Sequence, residues 1–394
     1  MYPFHIRGLQ IELYLAYYKF EFSYVNKNKF GTKLYFFLQY SNQKSTFAKN
    51  LIMKTKNSTE IASLGEFGLI DRLTSRLQRR NDSTIMAAGD DAAVIDLGDE
   101  VMLLSTDMMT EGIDFDLSYF PLKHLGYKVI VRGVNDILAM NAKPQQVVVA
   151  LGISAKISVE ALDQLYEGME HAAKELGVDI VGGDTTASMN GLVISITATG
   201  RAKKSDIVYR SGAKEHDLIC ITSNLGAAYM GLHLLEREKR VLKDIDNPEP
   251  KFAGHEYLLE RYLKPRARIN ILDALKEEGI QPTSMIDLSD GLASDLRQIC
   301  RSSKCGARIY LERIPIARQT TDLAEEMHID PVIAALNGGE DHELLFTVPI
   351  DKQESIMRLG LVDVIGHITR EEAGVVLVTP DGEGIALKAQ AFDR

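Results

Sequence analysis

Apolar positions across residues 158–176 recur at helical spacing. Ala161, Leu162, Leu165, Tyr166, Met169, Ala172, Ala173 and Leu176 share one face. The spacing predicts an amphipathic helix, with Gly177 where a left-handed C-terminal cap belongs. Further helices are expected over 65–79, 122–140, 227–236, 265–278 and 292–302. Short apolar or β-branched runs predict strands at 101–105, 146–151, 178–181, 192–199, 217–222, 307–311 and 343–348. Helices and strands alternate in both halves, and a charged, glycine-containing connection at 203–215 separates them. That order predicts two α/β-type domains with the boundary in the connection.

The start of the chain breaks this pattern. Residues 1–52 carry half of all Phe and Tyr, among them Tyr14, Tyr17, Tyr18, Phe20, Phe22, Tyr35, Phe36 and Phe37. Their only acidic residues are Glu12 and Glu21. The stretch lacks the apolar core and small-residue cleavage site of a signal peptide. Met53 and a polar lead-in follow, so Met53 is expected to be the true start and 1–59 a non-native or disordered extension. The competing reading is a membrane-associating arm.

Composition narrows the class. The chain has 394 residues and a formal net charge of −10, which argues against a nonspecific nucleic-acid binder. No apolar run approaches the roughly 20 residues that span a bilayer. Cys220, Cys300 and Cys305 lack zinc-site spacing, and they read as packing residues in a reducing cytoplasm.

The candidate chemistry lies in aspartates expected at the ends of apolar strands, beside Gly, Ser or Thr. They occur in Gly89-Asp90-Asp91-Ala92, Ser105-Thr106-Asp107, Gly182-Gly183-Asp184-Thr185 and Asp287-Leu288-Ser289-Asp290-Gly291. Small neighbours let backbone approach a ligand, and carboxylates suit a hard cation such as magnesium. Any one of them could equally be a strand-end turn or a helix cap. As a set they predict a metal site, because converging carboxylates repel unless cations hold them. Asp136 lies inside the 122–140 helix among small and apolar neighbours, where an aspartate has no propensity advantage. It either pairs with Arg132 or points into a site. Ser289 or Asp290 is placed to cap the helix at 292, whose N-terminus would favour a phosphate. No Walker A sequence or kinase catalytic loop is present.

The ordered set GEFGLI (65–70), GDDAAV (89–94), STDMMTEG (105–112), HLGYK (124–128), NDILAMNA (135–142), GGDTT (182–186), RSGAK (210–214), IDLSDG (286–291) and GGEDHELLF (338–346) resembles the thiamine-monophosphate kinase family. The resemblance covers about residues 60–394. GDDAA or DxSDG alone would indicate only the wider superfamily of aminoimidazole ribonucleotide synthetase, selenophosphate synthetase and a hydrogenase-maturation dehydratase.

The resemblance implies transfer of the ATP γ-phosphoryl group to thiamine monophosphate, assisted by several magnesium ions. It implies an N-terminal α/β domain, 60–202, that forms a β-barrel across a homodimer. An α+β domain, 203–394, would close the nucleotide cleft. Matched metal ligands are Asp91, Ser105, Thr106, Asp107, Asp136, Asp184, Asp287 and Asp290, with Asp90 weaker. Matched ATP contacts are Tyr166, Gly183, Asp184, Arg210 and Ser289. Matched substrate contacts are Asp114, Glu340 and Phe392. No residue is expected to act as a nucleophile. Three positions depart from the family. Asp114 stands where a substrate-contacting His is usual, His216-Asp217 replaces Gly-Asp, and the C-terminal aromatic motif is shortened to Phe392-Asp393-Arg394. Selenophosphate synthetase would need a reactive N-terminal Cys or selenocysteine beside Lys, and the hydrogenase-maturation member ends in Cys. The alternatives are another ATP-using enzyme of the same superfamily, selenophosphate synthetase-like for example, or a nucleotide-binding sensor without catalysis.

Overall fold

A computed structural model describes residues 61–243 and 249–389. The proposed start at Met53, the extension and Phe392 lie outside those residues.

The first lobe opens with helix α1 (Gly65–Thr74). Strands β1 (Thr84–Met86), β2 (Ala93–Asp96) and β3 (Glu100–Thr110) follow. Helix α2 (Leu122–Ala139), β4 (Lys143–Ser154), α3 (Val159–Leu176), β5 (Asp179–Ser188) and β6 (Val193–Lys203) complete it. The six strands form one sheet in the order β1-β2-β3-β6-β4-β5. β4 and β5 run parallel and the other pairs are antiparallel. Among the described residues the sheet does not close into a barrel, because β1 and β5 remain its edges.

Helix α2 lies on the sheet against β3, β4 and β6, and α3 lies on α2. The two helices meet through glycines. A Cβ at Gly126 would stand 1.9 Å from the Leu165 carbonyl oxygen, and one at Gly168 would stand 1.9 Å from that of Lys123. Only glycine permits that approach. Ser158 caps α3 by accepting from the Ala161 amide at 3.2 Å, and Gly177 closes it in the left-handed region at φ 66°.

The second lobe holds β7 (Leu218–Thr222), α4 (Ala227–Leu242), α5 (Glu256–Leu263), α6 (Ile269–Glu277), β8 (Ser284–Leu288) and α7 (Leu292–Ser303). It continues with β9 (Cys305–Tyr310), α8 (Arg318–Glu326), α9 (Pro331–Asn337), β10 (Glu343–Val348) and α10 (Gln353–Leu359). Strands β11 (Val362–Arg370), β12 (Val375–Val378) and β13 (Gly384–Ala386) end it. Its seven strands run β13-β12-β9-β11-β7-β10-β8, with β9 and β12 parallel and the rest antiparallel. β7, β8 and β10 are buried along their whole length. Cys220 and Cys300 are buried and Cys305 half-buried, all three as free thiols.

Side chains tie the lobes together. Lys128 on α2 donates to the Tyr262 carbonyl at 3.0 Å, and the Tyr119 hydroxyl donates to Glu236 at 2.8 Å. No helix among the described residues is long and apolar enough to cross a membrane.

Candidate active site

Three aspartates far apart in sequence meet where the lobes face each other. Asp91 comes from the β1–β2 loop, Asp136 from α2 and Asp287 from β8. Each offers a carboxylate oxygen within 4.8 Å of the others. The two readings left open for Asp136 are thereby separated. Arg132 turns instead to Asp107, Asp114 and Glu340, and Asp136 lies with the other carboxylates.

The electrostatics follow from that crowding. Burial raises the Asp136 carboxyl well above the usual carboxylate range, and Asp107, Asp287 and Asp91 add to the effect. Burial, then Asp91, pushes Asp287 up to about 7, opposed by a hydrogen bond from Asn135 at 3.2 Å. Burial and Asp91 likewise lift Asp90 to about 7. Burial also raises Asp91, although Arg210 opposes it. Arg210 donates from Nη2 to Asp91 Oδ1 at 2.6 Å, and its amide lies 3.2 Å from Asp90. Asp91 Oδ2, Asp107 Oδ2 and Asn135 Oδ1 are buried acceptors with no hydrogen-bond donor. Orphaned acceptors among crowded carboxylates form a donor set suited to a hard divalent cation.

The glycine-rich segment 338–342 packs against the end of β8. Gly339, Glu340 and His342 hold positive φ values of 70°, 62° and 52°. A Cβ at Gly339 would stand 2.6 Å from the Ser289 carbonyl oxygen. Glu340 donates its amide to Ser289 O and His342 donates to Leu288 O, both at 2.9 Å, which ties the loop to the end of β8. Two non-glycine residues in the left-handed region are a local strain that the packed strands sustain. The loop sets Glu340 beside Lys128 at 2.8 Å and Arg132 at 3.7 Å. Lys128 is fully buried, with Nζ 4.1 Å from the centre of the Tyr262 ring.

Other expected residues fall differently. Asp107 is on the buried side of β3, while Thr106 faces the other way and its hydroxyl is bonded across to Ile196 O and Thr197 on β6. Alternation along the strand forces that separation. The Ser105 hydroxyl is buried 3.5 Å from the Gly133 carbonyl. Asp107 and Asp184 are not at strand ends: β3 and β5 run on past them. Gly183 and Asp184 lie exposed on the edge strand β5, opposite Val149 and Ala150. Tyr166 is 43% exposed on α3, and neither it nor Asp184 joins the group of three carboxylates. Neither Ser289 nor Asp290 caps α7, because the cap position is Gly291 at φ 109°. The buried Asp295 instead accepts from the Asp290 and Gly291 amides at 3.2 and 3.1 Å. Burial lifts its carboxyl well above the normal range.

Sequence reasoning missed Asn135, Asp295 and the role of Arg132. Asn135 sits beside Asp136 in the same motif, and that adjacency was the available signal.

The fold and the paired domains place the chain among the AIR synthase related proteins. The profile of the N-terminal domain of that group matches residues 89–202, and that of the C-terminal domain matches 214–379. Within that group the chain is 33% identical over 339 residues to a thiamine-monophosphate kinase of Buchnera aphidicola, covering 84% of this chain and 98% of that protein. It is 29% identical to the thiamine-monophosphate kinase of Bacillus subtilis, covering 84% and 99%. The solved AaThiL complex with AMPPCP and TMP superposes with a TM-score of 0.71 at 28% identity, over 84% of this chain and 97% of that one. The chain belongs to the thiamine-monophosphate kinase family.

Proposed function

We propose that the protein transfers the γ-phosphoryl group of ATP to thiamine monophosphate, giving thiamine diphosphate and ADP. The observation that carries the reading is the meeting of Asp91, Asp136 and Asp287, from both lobes, as carboxylates placed to share a divalent cation. A chain of the same fold, AaThiL, was solved with AMPPCP and TMP.

Asp91, Asp107, Asp136 and Asp287 would hold magnesium, with Ser105, Asp184 and Asp290 as further ligands. Thr106 would serve through its main chain, since its hydroxyl is taken up by β6. Bound magnesium supplies positive charge against two polyanions and polarises the transferred group. Gly183, Tyr166, Arg210 and Ser289 would contact ATP, and Arg210 would exchange its pairing with Asp91 for a phosphate. Glu340 and Phe392 would bound the acceptor. The attacking oxygen of a phosphate monoester is already anionic near neutral pH, so no general base is required. Among the described residues no side chain at the site is arranged as an activated nucleophile, and transfer would be direct and in line.

Further elements of the reading concern assembly. Residues 60–202 would be the metal-binding and dimerisation domain, and 203–394 the closing domain. A homodimer would bury the outer face of the first sheet, where Met108, Val148 and Val181 are 61%, 40% and 59% exposed. Its closure against a second copy would complete a barrel. The protein would work in the cytoplasm, where its free thiols stay reduced.

The test is ADP release by the full chain with and without thiamine monophosphate and magnesium, with thiamine diphosphate identified as product. ADP release that needs a different acceptor would favour another ATP enzyme of the superfamily. Nucleotide binding without release would favour a sensor.

A further inference from the structure

Arg132 joins carboxylates of the first lobe, Asp107 and Asp114, to Glu340 of the second. Its Nε lies 3.1 Å from Asp107, and its Nη1 lies 3.3 Å from Asp114 and 3.7 Å from Glu340. Burial opposes its charge, but Glu340, Asp107 and Asp114 outweigh that and hold the guanidinium protonated. Asp114 is buried and itself anchored. Its Oδ2 accepts from the Thr110 amide at 2.8 Å, and Tyr262 of the second lobe donates to its carbonyl at 3.3 Å. So Asp114 turns both oxygens to the protein, one to a backbone amide and one to Arg132.

We infer that Arg132 binds the phosphate of the acceptor, and that Asp114 is a positioning residue acting through Arg132. This inference rests on the phosphoryl-transfer reading above. Asp114 occupies the position at which the family resemblance implied a direct substrate contact. Its carboxylate would repel a phosphate monoester, whereas a guanidinium held by that carboxylate recognises one. Nε and Nη1 make the protein contacts, which leaves Nη2 as the donor assigned to the phosphate. A charge-assisted contact from that guanidinium favours thiamine monophosphate over unphosphorylated thiamine. Lys128, fully buried on Glu340 and the Tyr262 carbonyl, keeps Glu340 from drawing Arg132 out of place.

The experiment uses the full chain and the variants Arg132→Ala, Arg132→Lys and Asp114→Asn. Calorimetry measures Kd for thiamine monophosphate and for thiamine without nucleotide or metal, and separately for AMPPCP with magnesium. Steady-state assays give KM and kcat. Arg132→Ala is expected to weaken thiamine monophosphate by roughly 10- to 100-fold, in Kd and KM alike, the loss of a charge-assisted contact. Thiamine and AMPPCP affinities should stay within about twofold. Arg132→Lys should recover part of the loss, and Asp114→Asn should cause a smaller loss with the same selectivity. Unchanged thiamine monophosphate affinity in Arg132→Ala overturns the inference. So does an equal loss toward thiamine or AMPPCP, which would mark Arg132 as a structural residue. A wild-type chain that forms no thiamine diphosphate overturns the proposed function instead, and the calorimetric selectivity separates that failure from this one.

Discussion

Replacing Asp287 by Asn is expected to stabilise the metal-free protein while disabling it. The Asp287 carboxyl is held up at about 7 by burial and by Asp91. In the unfolded chain the group has an ordinary carboxylate pKa, so the folded state binds more protons between these values. Its contribution opposes folding fully above pH 7, and the penalty shrinks as pH falls through 7. A shift of about three units amounts to roughly 4 kcal/mol at most at 1.36 kcal/mol per unit, and sharing of the proton with Asp136 and Asp91 reduces it. About 2 kcal/mol is the working expectation for Asp287→Asn at pH 8, read as a Tm rise of some degrees. Asn keeps an oxygen to accept from Asn135 Nδ2, so the existing hydrogen bond survives. The advantage over wild type should narrow by about 1.4 kcal/mol between pH 8 and pH 6, where the wild-type carboxyl takes up its proton. Thermal melts in a chelator at both pH values provide the assay, and added magnesium should raise the wild-type Tm more than that of the variant. A variant less stable than wild type at pH 8 without metal would refute the reasoning, since the carboxylates would then not be crowded.

Three other outcomes follow from the same geometry. Asp136→Asn should cut turnover by about two orders of magnitude or more with an unchanged circular dichroism spectrum, because it removes the anionic form of one of three converging carboxylates with little change in side-chain volume. Magnesium affinity, measured by calorimetry, should fall as pH drops from 8 to 6, because Asp287, near 7, must lose its proton for the metal. Gly168→Ala should cost about 3 kcal/mol in a denaturant titration, because the new Cβ would fall 1.9 Å from the Lys123 carbonyl oxygen and force α2 and α3 apart.

Much of the fold could be read from the chain. Helices α2 and α3 declare themselves by apolar spacing, and Ser158 and Gly177 mark the ends of α3 because capping is local chemistry. Strands β7 and β10 show as short apolar runs, whereas β8, with Asp287 inside it, is absent from the strands that those runs predict. What escaped reading depends on partners distant in sequence. β5 hides behind Gly182-Gly183, which argues for a turn, yet pairing with β4 carries it through to Ser188. The expected helix over 265–278 begins only at Ile269, and the preceding α5, which lends Tyr262 and Arg261 to the interior, is separate from it.

The site shows the same division. Asp91, Asp136 and Asp287 were marked by their small neighbours, but sequence could not say which of the other aspartates would join them. Thr106 and Asp107 are adjacent in the chain and on opposite faces of β3. Arg132 stands four residues before Asp136, close enough to suggest a pair, but its guanidinium is drawn to three carboxylates from other segments.

Manganese, a paramagnetic substitute for magnesium, tests the shared cation site most directly when titrated with AMPPCP and followed by electron paramagnetic resonance. Wild type should bind it tightly, and Asp91→Asn, Asp136→Asn and Asp287→Asn should each weaken binding at least about tenfold. Three variants that bind manganese as wild type does would contradict the account.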